Sequence, residues 1–243
     1  MPIRPVTRRA ALAAALALPL AARAQPKAAA MTSTQSPWPL IELRRYRTNP
    51  GKRDTLIALF EQQFVESQDD VGMTVIGTFR EPGFDDRFTW VRGFADMAAR
   101  GKALNDFYYG PIWQAHRNAA NDCLFDNDDV WLLREAAPGS GFTRPAGTRP
   151  PTDAVLTART PVSVHIRPLT GPAAEGPAHE ALIKTAPTGL IAAYVREKAA
   201  NNFPRLPVHE DREVLVWFQS GLTDVPSQET LHLVPTARSW LTG

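Results

Sequence analysis

The sequence predicts an α+β protein built from two related β-α-β-β-α-β units in one chain, and three observations carry that prediction. A strand-turn-strand signature occurs twice, as Val75-Ile76-Gly77-Thr78-Phe79-Arg80-Glu81 with Asp86-Arg87-Phe88-Thr89-Trp90-Val91, and as Ile191-Ala192-Ala193-Tyr194-Val195-Arg196-Glu197 with Asp211-Arg212-Glu213-Val214-Leu215-Val216. Each copy closes on an apolar strand, Val130-Trp131-Leu132-Leu133-Arg134 in the first and Leu231-His232-Leu233-Val234-Pro235 in the second. Between the copies, residues 138–158 are rich in Pro and Gly and hold neither a helix nor a central strand. With 243 residues in total, each half is long enough to bury a core of its own.

The chain divides into a leader (1–24), a first unit (38–137), a linker (138–158) and a second, degenerate unit (159–243). In the leader, Arg4, Arg8 and Arg9 precede the apolar run Ala10 to Leu20, and Ala22-Arg23-Ala24 is a small-x-small cleavage pattern. Thr7-Arg8-Arg9-Ala10-Ala11-Leu12 resembles a twin-arginine export motif, with Ala11 where Phe is usual. The expectation is a signal peptide and a periplasmic or secreted protein. Translation from Met31 is the alternative and would leave the protein cytoplasmic. The apolar run is too short for a stable membrane anchor. Removing residues 1–24 takes away Arg4, Arg8, Arg9 and Arg23 and no acid, which moves the formal charge from +2 to −2. No basic, aromatic-interleaved stretch remains, so no nucleic-acid partner is expected. Cys123 is the single cysteine and has no disulfide partner or zinc-ligand spacing, so no metal is expected.

In the first unit, Leu40 to Tyr46 reads as a strand and Asn49-Pro50-Gly51 as a turn. Leu56, Leu59, Phe60 and Phe64 then recur at helical spacing, a stripe that must cover a sheet. Met73 to Arg80 and Arg87 to Phe94 form a hairpin whose Pro82-Gly83 favours a turn. A helical region from Asp96 to Phe125 follows, broken at Gly110-Pro111. The order is that of a ferredoxin-like unit. The second unit repeats it with strand Val162 to Arg167, a helix at Ala178 to Ala186, and a longer hairpin loop containing Asn201-Asn202-Phe203-Pro204-Arg205-Leu206-Pro207. Only Ser220 to Glu229 separates its last two strands, too little for the helical pair of the first unit. Apolar residues on both faces of each sheet predict that the two sheets pack on each other about a pseudo-twofold axis. Such packing can enclose a cavity.

Four stretches resemble the NIPSNAP family. Ile41-Glu42-Leu43-Arg44-Arg45-Tyr46 followed by Pro50-Gly51-Lys52, the helix and the Trp90 strand is similar to that family's opening. Phe107-Tyr108-Tyr109-Gly110-Pro111-Ile112-Trp113-Gln114-Ala115-His116-Arg117 is similar to a stretch of its bacterial two-unit members. Asn201 to Val208 and Leu231 to Ser239 resemble their second unit. The resemblance implies tandem ferredoxin-like units forming an intrachain dimeric α/β barrel, in a superfamily that also holds cofactor-free monooxygenases, heme-degrading enzymes and chlorite dismutases. It implies no particular reaction.

His116 shares a helical stripe with Ile112, Ala119 and Cys123 and is expected to face the sheet or an internal cavity, as base, proton shuttle or heme ligand, or as a packed core residue. Trp90 and Trp113 offer flat surfaces for a planar ligand, or core bulk. Tyr108 and Tyr109 stand at the helix break, and Arg117 is an anion contact or a surface ion pair. Arg80-Glu81, Asp86-Arg87, Arg196-Glu197 and Asp211-Arg212 read as ion pairs at hairpin ends. The favoured function is binding of a small apolar or planar molecule in the barrel, extending to cofactor-independent oxygenation or isomerisation through His116. The alternatives are heme binding through His116, and an interaction scaffold presenting the Asn201 to Pro207 loop. Small-molecule ligands and a second copy of the chain are the partners this reading allows.

Overall fold

The computed structural model describes Met1, residues 36–226 and residues 229–243. Apart from Met1, the expected leader, its twin-arginine stretch and the alternative start at Met31 lie outside the described residues. The first unit runs β1 (Leu40–Thr48), α1 (Arg53–Leu59), a π-helical turn (Phe60–Phe64), α2 (Val65–Asp69), β2 (Thr74–Arg80), β3 (Arg87–Phe94), α3 (Met97–Tyr108), α4 (Pro111–Asn121) and β4 (Leu124–Glu135). The second runs β5 (Val162–Pro168), a 3-10 turn (Pro172–Ala174), α5 (Glu175–Thr185), β6 (Leu190–Arg196), β7 (Val214–Ser220) and β8 (Glu229–Pro235).

The eight strands close into one barrel in the order β1-β3-β2-β8-β5-β7-β6-β4. Within it, β4-β1-β3-β2 and β8-β5-β7-β6 are the same arrangement written twice. Two short antiparallel seams join the halves, Phe79 and Arg80 against Pro235 and Val234, and Leu133 to Glu135 against Arg196 to Tyr194. The fold is therefore two ferredoxin-like units forming an intrachain α/β barrel. The strand β4 begins six residues earlier than Val130, because Asp126 and Asp129 pair opposite Arg47 and Arg45 of β1. Charged residues hid that extension from a reading based on apolar runs.

Period-2 alternation sorts each strand between two cores. Ile41, Leu43, Val91 and Leu133 of the first unit meet Val164, Val216, Phe218 and Leu233 of the second inside the barrel. Where a cavity between the units was expected, Phe79, Trp131, Tyr194 and Phe218 pack into the interior, as side chains do in barrels of this strand number. The linker adds to the filling. Phe142 is buried in the same cluster, its N–H donates to the Tyr194 hydroxyl at 2.8 Å, and Ser36 Oγ donates to its carbonyl at 2.7 Å.

The opposite face of the first sheet packs on helices. Leu40, Tyr46, Phe88, Trp90 and Phe94 meet Leu56, Phe60, Phe64, Leu104 and Phe107 there. Asp96 caps α3 by accepting from the Ala99 N–H at 2.7 Å, and Gly110-Pro111 starts α4 with Pro at its first position. In the second unit the same face carries only a small cluster around Leu182, Val195, Leu215 and Trp217. Residues 221–226, between β7 and β8, form no helix. Of the hairpin-end pairs, Asp86 and Arg87 lie 3.6 Å apart and Asp211 and Arg212 3.9 Å, whereas Arg80 pairs with Asp54, Arg196 with Glu213, and Glu81 turns inward to Arg45 and Thr89. The reason is reach, since neighbouring residues on a strand point to opposite faces.

Candidate functional site

A cavity of about 190 Å³ opens between the first sheet and its helices. Its floor is the outward face of β1 and β3, Tyr46 and Trp90. The helical run from α1 through the π turn supplies Leu56, Phe60 and Phe64, and the α3–α4 corner supplies Phe107, Tyr108 and Trp113. The rings interlock edge to face: Phe60 lies 4.7 Å from Trp90, and Tyr108 lies 4.9 Å from Trp113. The π turn carries both Phe60 and Phe64 into the wall, and its Glu61 carbonyl accepts from the Arg238 guanidinium of the second unit.

The second unit also covers this site. Its loop between β6 and β7 folds back over the first unit, placing Arg205 and Leu206 in the cavity wall and stacking Phe203 on Tyr108 at 5.6 Å. Asn202 Oδ1 accepts from Arg100 Nη1 at 2.6 Å, and its amide donates to the Met97 carbonyl at 2.5 Å. Gly101 makes that approach possible, since a Cβ there would stand 2.7 Å from Asn202 Nδ2. The Asn201 to Pro207 loop thus makes an intrachain contact: Phe203 is buried and Asn201 and Asn202 accept from Arg100, while Asn202, Pro204, Arg205 and Pro207 stay exposed.

Beside the cavity, and buried completely, lies a charge cluster. Glu42 accepts from Arg44 Nη1 at 2.7 Å, from Arg92 Nε at 2.8 Å and from Arg100 Nε at 2.7 Å. All four side chains are fully inaccessible. Burial alone would raise the Glu42 pKa, yet Arg92, Arg44 and Arg100 together hold it well below the usual carboxylate range. Burial opposes the charge on Arg44, but Tyr46 and Glu42 outweigh it and raise its pKa; on Arg100 burial prevails and lowers it. The cluster thus carries three guanidinium charges on one carboxylate. Aromatic faces and amide oxygens offset the rest: Arg44 lies 5.4 Å from the Tyr46 ring centre, Arg92 lies 5.1 Å from that of Trp90, and Arg92 Nη1 donates to Gln68 Oε1 at 3.2 Å.

The sequence-predicted site residues separate. Trp90, Tyr108 and Trp113 stand together in the cavity wall. His116 does not: it is half-buried on α4 with its ring 6.3 Å from Phe64, outside the wall. The stripe Ile112, His116, Ala119, Cys123 is rotated by roughly 80° from the buried face, which runs through Trp113 and Ala120. Ile112, 40% exposed, marks the error, and Trp113, the largest apolar side chain of the helix, sets the true face. Tyr109 is 65% exposed, because the helix break turns it outward, and Arg117 is exposed on α4. Glu42, Arg44, Tyr46, Arg92, Arg100 and Phe203 were not anticipated as site residues. The signal was there in β1, where Glu42 and Arg44 alternate with Ile41 and Leu43 on the very face that the helix stripe must cover.

Heme does not fit this site. No histidine, cysteine or methionine stands in the cavity wall, and a cavity near 190 Å³ is close to the roughly 150 Å³ that accommodates a single benzene ring. Among the described residues, no group of three or more His, Cys, Asp or Glu side chains is placed to hold a metal ion, and no helix is long and apolar enough to cross a membrane.

The NIPSNAP family model matches residues 41–134, the span from β1 to the end of β4 that builds this site. The first unit is a NIPSNAP domain. A NIPSNAP domain protein from Burkholderia xenovorans is 18% identical over 40% of this chain and 95% of its own, with a TM-score of 0.37. A candidate monooxygenase from Fusobacterium nucleatum covers 85% of this chain and 97% of its own at 9% identity, with a TM-score of 0.50. Another from Lactobacillus acidophilus covers 84% and 99% at 10% identity, with a TM-score of 0.49. The Fusobacterium likeness extends across both units and is a likeness of fold. No protein of curated function matches the sequence.

Proposed function

We propose that this NIPSNAP protein binds a small, planar, largely apolar molecule in the first unit, between sheet and helices, with the second unit's β6–β7 loop as the cover. The observation that carries the reading is the aromatic cavity itself, walled by Trp90, Phe60, Tyr108 and Trp113 and large enough for one ring with substituents or a small fused pair. Oxygenation of such a ligand without a cofactor has the barrel fold shared with monooxygenase-like proteins behind it, and nothing residue-specific. The polar wall residues are Tyr46, Gln68, Tyr108, Asn121, Asn127 and Arg205, none of them a carboxylate or an imidazole. A general base must come within hydrogen-bond reach of the proton it takes, which leaves binding as the better supported activity. Export through the leader would put this site in the periplasm.

Native mass spectrometry of the purified protein with added 2-naphthol tests the reading. A one-to-one complex is expected, and Phe203→Ala, which removes the ring stacked on Tyr108, should weaken it about tenfold, or roughly 1.4 kcal/mol. Absence of any complex with planar aromatic probes would overturn the proposal.

A further inference from the structure

Several buried hydrogen-bond donors around the cavity have no acceptor. Tyr46 Oη accepts from Arg44 Nε at 3.0 Å, so its own proton is left to donate, and among the described residues it meets no acceptor. Trp90 Nε1 and Trp113 Nε1 are buried without acceptors, and both residues stand in the wall. Arg44 Nη2 is likewise buried and unpartnered. Arg92 Nη2 and Arg100 Nη2 also lack a hydrogen bond, but they lie 2.6 and 2.7 Å from Glu42 oxygens, and of the three guanidiniums Arg44 is the one that holds the Tyr46 hydroxyl of the wall. It sits directly behind the wall, 5.4 Å from the ring centre of Tyr46 and 5.6 Å from that of Trp90.

Buried donors without acceptors are costly, and so is buried charge beyond its counter-charge. Glu42 is the only carboxylate within ion-pair distance of the three arginines among the described residues. A ligand that brings acceptor oxygens and negative charge relieves both deficits together, whereas a neutral hydrocarbon of the same shape relieves neither.

We infer that the ligand is a small planar organic anion whose oxyanion, a carboxylate or phenolate on an aromatic ring, is received by the Tyr46 hydroxyl with the Arg44 guanidinium behind it. The inference rests on the pocket reading above and adds the charge and orientation of the occupant. The ring lies among Trp90, Phe60 and Tyr108, and its charged edge points toward β1. Tyr46 is the contact that transmits the Arg44 charge: the guanidinium donates to its oxygen and leaves its proton for the ligand.

The test is a tryptophan-fluorescence titration of the full chain with two matched pairs, benzoate against benzamide and 2-naphthoate against 2-naphthamide, near neutral pH. Each carboxylate should bind at least tenfold tighter than its amide. Tyr46→Phe, which keeps the ring and removes the donor, should cut that preference to below threefold by weakening the carboxylates more than the amides; a denaturant titration of the variant confirms its fold. Amides that bind as tightly as carboxylates would overturn the anion assignment and leave the pocket standing. A carboxylate preference undiminished in folded Tyr46→Phe would also overturn it, by placing the anion elsewhere. If neither pair binds, the pocket reading falls and the inference with it.

Discussion

The two units share a strand order and differ in what covers their outer sheet faces. In the first, the positions facing each other across β1 and β3 are Glu42 and Arg92, part of a buried charge cluster beside an aromatic cavity. In the second, the same outward face of β5 and β7 carries His165 opposite Trp217, a neutral stack with ring centres 4.8 Å apart. His165 finds Thr230 and Thr223 hydroxyls at 3.0 and 3.1 Å and needs no counter-charge. The first unit has two further helices over this face; the second has α5 alone. Duplication therefore preserved the barrel, which needs both halves, and let the outer faces diverge. One unit carries the aromatic cavity, and the other contributes the loop that covers it.

The largest test of this contrast is to replace the central polar residue on each side. Glu42→Gln keeps the shape but leaves three buried guanidiniums without their carboxylate, an expected cost of about 3–5 kcal/mol in denaturant titration. His165→Gln in the second unit loses hydrogen bonds to two hydroxyls and should cost about 1 kcal/mol. Comparable costs for the two variants would show that the outer faces do not differ in the way their chemistry implies.

Acid separates the units next. Burial, the leading influence, lowers the His165 pKa, and burial likewise lowers that of His179 on α5. A histidine held below its ordinary value of about 6.5 favours folding above that value, and the contribution is lost as pH falls through the depressed one. Glu42 is also depressed, from an ordinary value of about 4.3, so its contribution persists through that range and disappears only at still lower pH. Stability should therefore begin to fall below about pH 6.5 on account of the second unit, with the Glu42 cluster failing later. Urea midpoints measured from pH 7.5 to 3 read this, and the first step should flatten in His165→Gln. A single step confined to the carboxylate range would contradict it.

The barrel was legible in the sequence because its signals are local. The repeated hairpins, the Phe60 and Phe64 stripe and the Gly110-Pro111 break each specify an element, and strand alternation gives every sheet two faces to cover. The site was only half legible. Trp90, Tyr108 and Trp113 stand where aromatic bulk beside a helix break suggests, but the cavity lies outside the barrel, since Phe142 from a stretch read only as linker helps to fill the interior. The charge cluster depends on tertiary contacts between β1, β3 and α3, and the cover on a loop more than ninety residues away from Tyr108. Gly101 in the middle of α3 was the one local hint of that cover, because a helix interior tolerates glycine poorly unless something packs against it.

The smallest expected effect is at His116, where the sequence pointed to chemistry. Its imidazole is half-buried at the flank of α4, touches Phe64 by a ring edge and has no hydrogen-bond partner among the described residues. His116→Ala therefore removes little packing and orphans no buried group, and alanine is the better helix former, so the change in stability should stay below about 1 kcal/mol. Binding of 2-naphthoate should be unchanged, because the cavity wall passes through Trp113 and Ala120 on the same helix and leaves His116 outside. Trp113→Ala is the matched control: it deletes a wall residue and should cost both stability and affinity. If His116→Ala instead abolished binding while the protein stayed folded, the helix face assigned to the cavity would be wrong, and the contrast between a functional first unit and a covering second one would have to be rebuilt around the imidazole.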